Sequence, residues 1–193
     1  VSVDYTLHRD FGAGRMLVLL VASRYSTETG AAPYTSVDGS LRQFTRVHTV
    51  GAGEQWAFVY FLDDANLPRT AGTYRLRVYE SGYDLQVTLL ELSNVNQSDP
   101  FAVRGGSAHG SCTMDDPSDA LTVSAESWLL SVVAYSGIGS PLSGQTVTHN
   151  QRVGSLSSMA GYLANVPAGN SMMSWSADGC TSSAHALVAL RPR

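Results

Sequence analysis

Lysine is missing from this 193-residue chain, whose 12 basic residues are all arginine. Mechanisms that need a lysine base, a Schiff base or a phosphate-gripping lysine are thereby excluded. A compositional bias of the genome accounts for the absence; protection from lysine-directed chemistry or proteolysis is the functional alternative. Positive charge is in deficit as well. Sixteen acidic residues leave a formal net charge of −4, which argues against bulk electrostatic binding to nucleic acid or to an anionic membrane. Long apolar runs are lacking: the longest, MLVLLVA over 16–22, has the length of a strand, so no membrane insertion is expected. No signal-peptide pattern opens the chain, and a start at Val1 without Met is expected of a processed or trimmed product. Cysteine is scarce. Cys112 and Cys180 sit in polar loop sequence without the C-x-x-C spacing of a metal or redox site. One disulfide is expected, in an oxidising, extracellular location, stabilising by on the order of 4 kcal/mol; two unpaired thiols are the alternative.

Sustained helical spacing with caps is also absent, and strand signals take its place. QWAFVYFL (55–62) is apolar on both faces, so it should lie centrally and be covered on both sides. TYRLRVYE (73–80) alternates cleanly, and DLQVTLLEL (84–92) sends Leu85, Val87 and Leu89 inward. WLLSVVAY (128–135), SMMSWSA (171–177) and AHALVAL (184–190) are comparable. Turn chemistry separates them at Asp38-Gly39, Glu80-Ser81-Gly82, Ser143-Gly144, Pro167-Ala168-Gly169 and Asp178-Gly179. The elements recur in one order. RMLVLLVAS (15–23) is echoed by SWLLSVVAYS (127–136), FVYFLDDANLPRTAGTYRLRV (58–78) by MAGYLANVPAGNSMMSW (159–175), and VTLLEL (87–92) by HALVAL (185–190). The reading is all-β: a two-sheet, jelly-roll-like β-sandwich built from two similar half-repeats, 1–93 and 120–193, with 94–119 as a crossover inside one domain, 1–193.

The order of elements resembles a class of secreted bacterial and phage-associated β-sandwich surface modules. The resemblance is carried by Arg15, Leu17, Leu19, Val21 and Ser23, by Asp38-Gly39, by Trp56, Tyr60 and Leu62, by Pro68 and Gly72, and by Leu190 and Pro192. It implies an extracellular jelly-roll-like sandwich of the kind found in surface proteins, fibres and polysaccharide-active enzymes. LDDANLP (62–68) departs from it, where a shorter neutral turn is usual.

Two residue sets invite ligand chemistry. Carboxylates and carbonyls on loops suit calcium, and Asp63, Asp64 and Asn66 form one such group, Asp115, Asp116 and Asp119 another. Solvated turns and caps are the alternative, since the regular calcium-loop motif is absent. Calcium is the one cofactor considered. Arg75, Arg77 and Tyr79 share one strand face, and Arg42, Phe44 and Arg46 another. Guanidinium forks beside aromatic rings would suit an acidic polysaccharide; arginine stems covering an outer sheet face are the alternative. The five histidines lack zinc spacing, and His185 is expected to face outward or to bond a neighbour. His149 with Tyr162 could serve a lyase as base and acid. A hydrolase would need two carboxylates across a cleft, and Glu54, Glu80 and Glu91 fall on different strands. A Ser-His-Asp triad carries no information where serine is so common. Trp56, Trp128 and Trp175 read as core.

The expected function is a non-catalytic extracellular module: a structural or assembly unit of a surface appendage or virion, homo-oligomeric or partnered with other surface proteins, with polysaccharide as a candidate ligand. A polysaccharide lyase or glycoside hydrolase on the same scaffold is the alternative.

Overall fold

A computed structural model describes residues 2–8, 13–26, 33–37, 40–79, 84–110, 117–141, 144–179 and 181–193. Its strands are all antiparallel and fall into four sheets. A first outer sheet holds β1 (Ser2–Leu7), β3 (Tyr34–Val37), β4 (Ser40–Gln43) and β7 (Gly72–Arg77), in the order β1-β7-β3-β4. A first inner sheet holds β2 (Met16–Arg24), β5 (Thr45–Ala52), β6 (Gln55–Asp63) and β8 (Asp84–Leu92), in the order β5-β6-β2-β8. The second inner sheet contains β9 (Phe101–His109), β11 (Ser127–Tyr135), β13 (Thr146–Val153), β14 (Leu156–Val166) and β16 (Ser183–Leu190), ordered β13-β14-β11-β16-β9. The second outer sheet, β10-β15-β12, is made by β10 (Ser118–Val123), β12 (Ile138–Pro141) and β15 (Gly169–Asp178). One 3₁₀ turn, Asp64–Asn66, follows β6.

The architecture is sandwich-like, but it has four sheets where two were expected. The reason lies in the two-faced strands. In β2 the alternation sends Met16, Val18, Leu20 and Ala22 to one side, where they pack with Leu130, Val132, Ala186 and Val188 of the second inner sheet. Leu17, Leu19 and Val21 turn the other way, against Phe44, Leu76 and Val78. β11 divides likewise: Leu130, Val132 and Ala134 enter the middle seam, and Leu129, Val133 and Tyr135 face Leu121, Met173 and Trp175. A strand apolar on both faces needs cover on both, so each inner sheet takes an outer sheet on one side and its counterpart on the other. Three apolar seams result.

The segment 94–119 is more than a crossover. Phe101–His109 forms β9 and pairs with β16 from His109↔Ser183 to Phe101↔Leu190. Ahead of it, Val95 bridges to Pro192, and the Val95 amide donates to the carbonyl of Gly14. Two adjacent glycines let β9 lie close to its neighbours. A Cβ on Gly106 would stand 2.5 Å from Val50 Cγ2 and closer still to the carbonyl oxygen of His185. Both atoms belong to packed strands with little room to yield. Gly106→Ala is therefore expected to cost about 1–3 kcal/mol by overpacking, read as a lower midpoint in urea with an unchanged slope.

Candidate functional site

The described residues assemble one constellation of catalytic type. On β11, residues 129, 131 and 133 face the second outer sheet, and on β16 residues 185, 187 and 189 do so. The register Val133↔His185 and Ser131↔Leu187 makes Ser131 and His185 diagonal neighbours on that face. Ser131 Oγ lies 2.7 Å from His185 Nε2. Asp119 arrives from β10, with Oδ2 2.9 Å from His185 Nδ1, poorly aligned for a hydrogen bond. The same oxygen accepts from Ser107 Oγ at 2.8 Å. The order hydroxyl, imidazole, carboxylate is that of a nucleophile, its base and the orienting acid.

Burial decides what this line can do. Ser131 and His185 are 0% exposed; of the two expectations for His185, it bonds a neighbour and does not face outward. Trp175, also fully buried, donates its indole N–H to Ser131 Oγ at 3.0 Å. The hydroxyl accepts from the indole and is placed to donate to the imidazole, within an apolar core where an acyl substrate has no approach. The arrangement gives Ser131 Oγ, the Trp175 indole and His185 Nε2 hydrogen-bond partners in the core, and leaves His185 Nδ1 without one. Sequence reasoning missed it because Ser131 and Asp119 are two of many serines and aspartates, joined only by sheet pairing.

A second polar group clasps the two inner sheets. Buried Gln86 on β8 donates through Nε2 to the carbonyl of Leu156 at 3.1 Å. Its Oε1 accepts from Ser158 Oγ at 3.0 Å and lies 2.5 Å from His149 Nε2. Asp84 Oδ2 accepts from the amide and hydroxyl of Ser155. His149, the candidate lyase base, is thus bound into a clasp, and burial lowers its pKa. His48 follows a register shift in β5 as His149 follows one in β13. Its pKa is also lowered, first by burial, and its Nε2 is buried with no partner among the described residues.

The other sequence-marked residues separate. Asp63 Oδ1 accepts from the Asn66 amide and side chain, capping the 3₁₀ turn. Asp64 Oδ1 accepts from Arg15 Nε at 3.0 Å. Asp115, Asp116, Cys112 and Cys180 lie outside the described residues, so the second calcium group and the disulfide are not located. Among the described residues no three acidic, histidine or cysteine side chains gather as a metal site would require. Arg75 and Arg77 share the open face of the first outer sheet, and Tyr79 follows them, 59% exposed. Arg75 is paired with Asp4 at 2.7 Å, Arg77 stands opposite Tyr34, and the Tyr34 and Tyr79 rings meet edge-on at 6.4 Å. Arg42 and Arg46 do not join them or one another: one lies on β4 of the outer sheet and the other on β5 of the inner, with Phe44 buried between. Trp175 is core as expected, whereas Trp56 and Trp128 are only partly buried. Trp128, with its indole N–H donating to Asn165 Oδ1 at 3.3 Å, walls an apolar groove of about 300 Å³ together with Leu90, Leu92, Leu130, Tyr162 and Ala164.

No protein-family model matches the chain, and neither does a curated protein sequence or a solved structure.

Two outcomes are expected. Ser131→Ala strips the Trp175 indole and His185 of their shared partner and should cost about 1–3 kcal/mol in chemical denaturation. His48 and His149 have folded-state pKa values below the ordinary 6.5. As pH falls through 6.5 the unfolded chain takes up protons that the folded one refuses, so stability declines toward acid. Unfolding midpoints measured from pH 7 to pH 5 should fall, and His48→Asn with His149→Asn should flatten the slope.

Proposed function

We propose that the chain is a non-catalytic extracellular β-sandwich module, a structural unit of a larger surface or virion assembly, built from two copies of one jelly-roll-like half-unit. The observation that carries this reading is the use to which reactive side chains are put. Ser131 and His185 bond each other inside a core with Asp119 beside them at its margin, Gln86 and His149 clasp two sheets, and Asp63 and Asp64 are taken up by a cap and by Arg15. The half-unit reading is supported by strand order. The inner sheets run β5-β6-β2-β8 and β13-β14-β11-β16, and the outer ones β1-β7-β3 and β10-β15-β12. Each series occupies the same places in its own half of the chain.

Glycan binding is a second reading, favoured by the Arg77, Tyr34 and Tyr79 group on the open face of the first outer sheet. A guanidinium beside one exposed and one half-buried ring suits a carboxylated or sulfated sugar. If that face is a site, Arg77→Ala and Tyr79→Ala should each weaken binding of an acidic oligosaccharide about tenfold in calorimetry, with stability within about 0.5 kcal/mol.

The module reading is tested against hydrolysis by a fluorophosphonate that labels activated serines. The intact protein should stay unlabelled while sedimentation shows concentration-dependent self-association or co-sedimentation with a surface partner. Labelling at Ser131 would replace the module with a serine hydrolase.

A further inference from the structure

Besides β4, which only the first outer sheet has, the two halves differ at one edge of their inner sheets. In the second inner sheet β9 pairs along the outer side of β16, and all eight residues of β16 are buried. Phe101, at the end of β9, stands opposite Leu190, is 7% exposed, and meets the ring of Phe61 edge-on at 5.2 Å in the middle seam. In the first inner sheet β8 lies beside β2 as β16 lies beside β11. The registers run Met16↔Leu92 and Val18↔Leu90 on one side, Trp128↔Leu190 and Leu130↔Val188 on the other. Yet β8 ends its sheet, and among the described residues no strand pairs with its far side.

That edge lacks the devices that usually protect one. It is nine residues long, pairs with β2 without a bulge, and contains no proline, lysine or arginine. Leu85, Val87, Leu89, Leu90 and Leu92 are all left half-buried. A long, regular, apolar edge is a template for another strand. Its charges are Asp84, tied to Ser155, and Glu91, whose Oε2 lies 3.3 Å from His8 and whose Oε1 is buried without a partner.

The groove lies where this edge meets the second inner sheet, and the second half supplies a template for what fills it. Leu92 and Leu90 correspond by register to Leu190 and Val188, and Trp128 and Leu130 to Met16 and Val18. Tyr162, paired with Thr146, holds on β14 the position that Phe61, paired with Thr45, holds on β6. The corresponding site in the other half is occupied by the ring of Phe101. Here it is open.

We infer that β8 accepts a strand from another polypeptide, antiparallel as β9 is to β16, with an aromatic side chain seated between Leu92, Trp128 and Tyr162. A hydrogen-bond donor beside that aromatic residue would meet Glu91 Oε1. Backbone pairing along β8 would give affinity, and the aromatic pocket would give register and specificity. The inference rests on reading the chain as an assembly module, for which it names the contact.

The probe is a nine-residue peptide with the sequence of β9, FAVRGGSAH, added to the intact protein and followed by the Trp128 indole resonance and the β8 amides. Both sets should shift saturably. The same peptide with alanine in place of its phenylalanine should bind at least about tenfold more weakly. Ala164→Arg, a change at an exposed groove residue, should abolish the shifts while leaving the unfolding midpoint in place. No shift at millimolar peptide, equal binding of the alanine peptide, or indifference to Ala164→Arg would each overturn the inference. So would phenylalaninamide moving Trp128 as far as the peptide does with β8 unmoved, the mark of a small-molecule pocket. Sedimentation separates this failure from that of the module reading: if the Ala164→Arg protein still self-associates or binds its partner, assembly uses another surface and only the β8 contact is lost.

Discussion

The structure depends on the seam between its two inner sheets. β2 and β11 are apolar on both sides, so neither can rest against water with either face. A single two-layer sandwich would cover one face of each strand and leave the other exposed. Packing the inner sheets against each other removes one pair of apolar faces, and the outer sheets remove the remaining pair. The middle seam is rich in small side chains: Ala22, Ala57, Ala134, Ala160, Ala184 and Ala186 all lie in it. Alanine brings the backbones close, and close backbones leave no space to relax. Gly106 shows the consequence at the margin, where one methyl group would strike both a carbonyl and Val50.

Polar groups inside such a body set register more than they add strength. Ser131 and His185 alternate with residues of the middle seam, so a one-residue slip of β11 or β16 would carry them into an apolar layer with no partner. Desolvating a hydroxyl or an imidazole without a hydrogen bond costs more than any single aliphatic contact returns. In the native register Ser131 meets Trp175 and His185, and His185 stands beside Asp119, which accepts from Ser107. Gln86 works across the seam instead of along a sheet, binding β8 to β13 and β14 through Gln151, Leu156, Ser158 and His149. A triad-like order of groups thus stands in a core, with Ser131 and His185 both fully buried.

Much of this was legible in the residues. The two-faced pattern of QWAFVYFL places β6 where it lies, and the alternation of TYRLRVYE separates Leu76, buried, from Arg75 and Arg77, exposed. The number of layers reads as two from the sequence and is four, although two-faced strands in both halves imply the larger number. β9 was hidden for a different reason: FAVRGGSAH is polar and glycine-rich, because an edge strand beside packed neighbours must be slim as much as apolar. Phe44 was misplaced onto an exposed face because alternation was carried across the break between β4 and β5, where the chain changes sheets. The Ser131 network had no local signal at all. Its members come from three strands, and nothing in a single segment marks which serine will lie opposite which histidine.

The strand orders of the two halves correspond except at β4 and β9, and the proposed strand contact rests on the second of these differences. Shared features answer to the core, which both halves need. Covering β16 with β9 uses a segment that must place Phe101 against Phe61 and supply glycines where a Cβ would strike Leu121, Val50 or the His185 carbonyl. A recess exists beside β8, walled by side chains of the same kind at corresponding registers, with no segment among the described residues to fill it. A strand edge that served only as a margin would be expected to carry a proline, a bulge or a basic residue against unwanted pairing. Leu85 to Leu92 carries none of these. Its one carboxylate without a local anchor in β13 or β14, Glu91, keeps an oxygen buried and unpaired, at a cost that a neighbouring donor would remove. An uncovered apolar edge, a recess shaped by the fold's own precedent and an unsatisfied acceptor beside it are three separate departures from a closed sandwich. They coincide at one end of β8, and a strand arriving there would resolve all three.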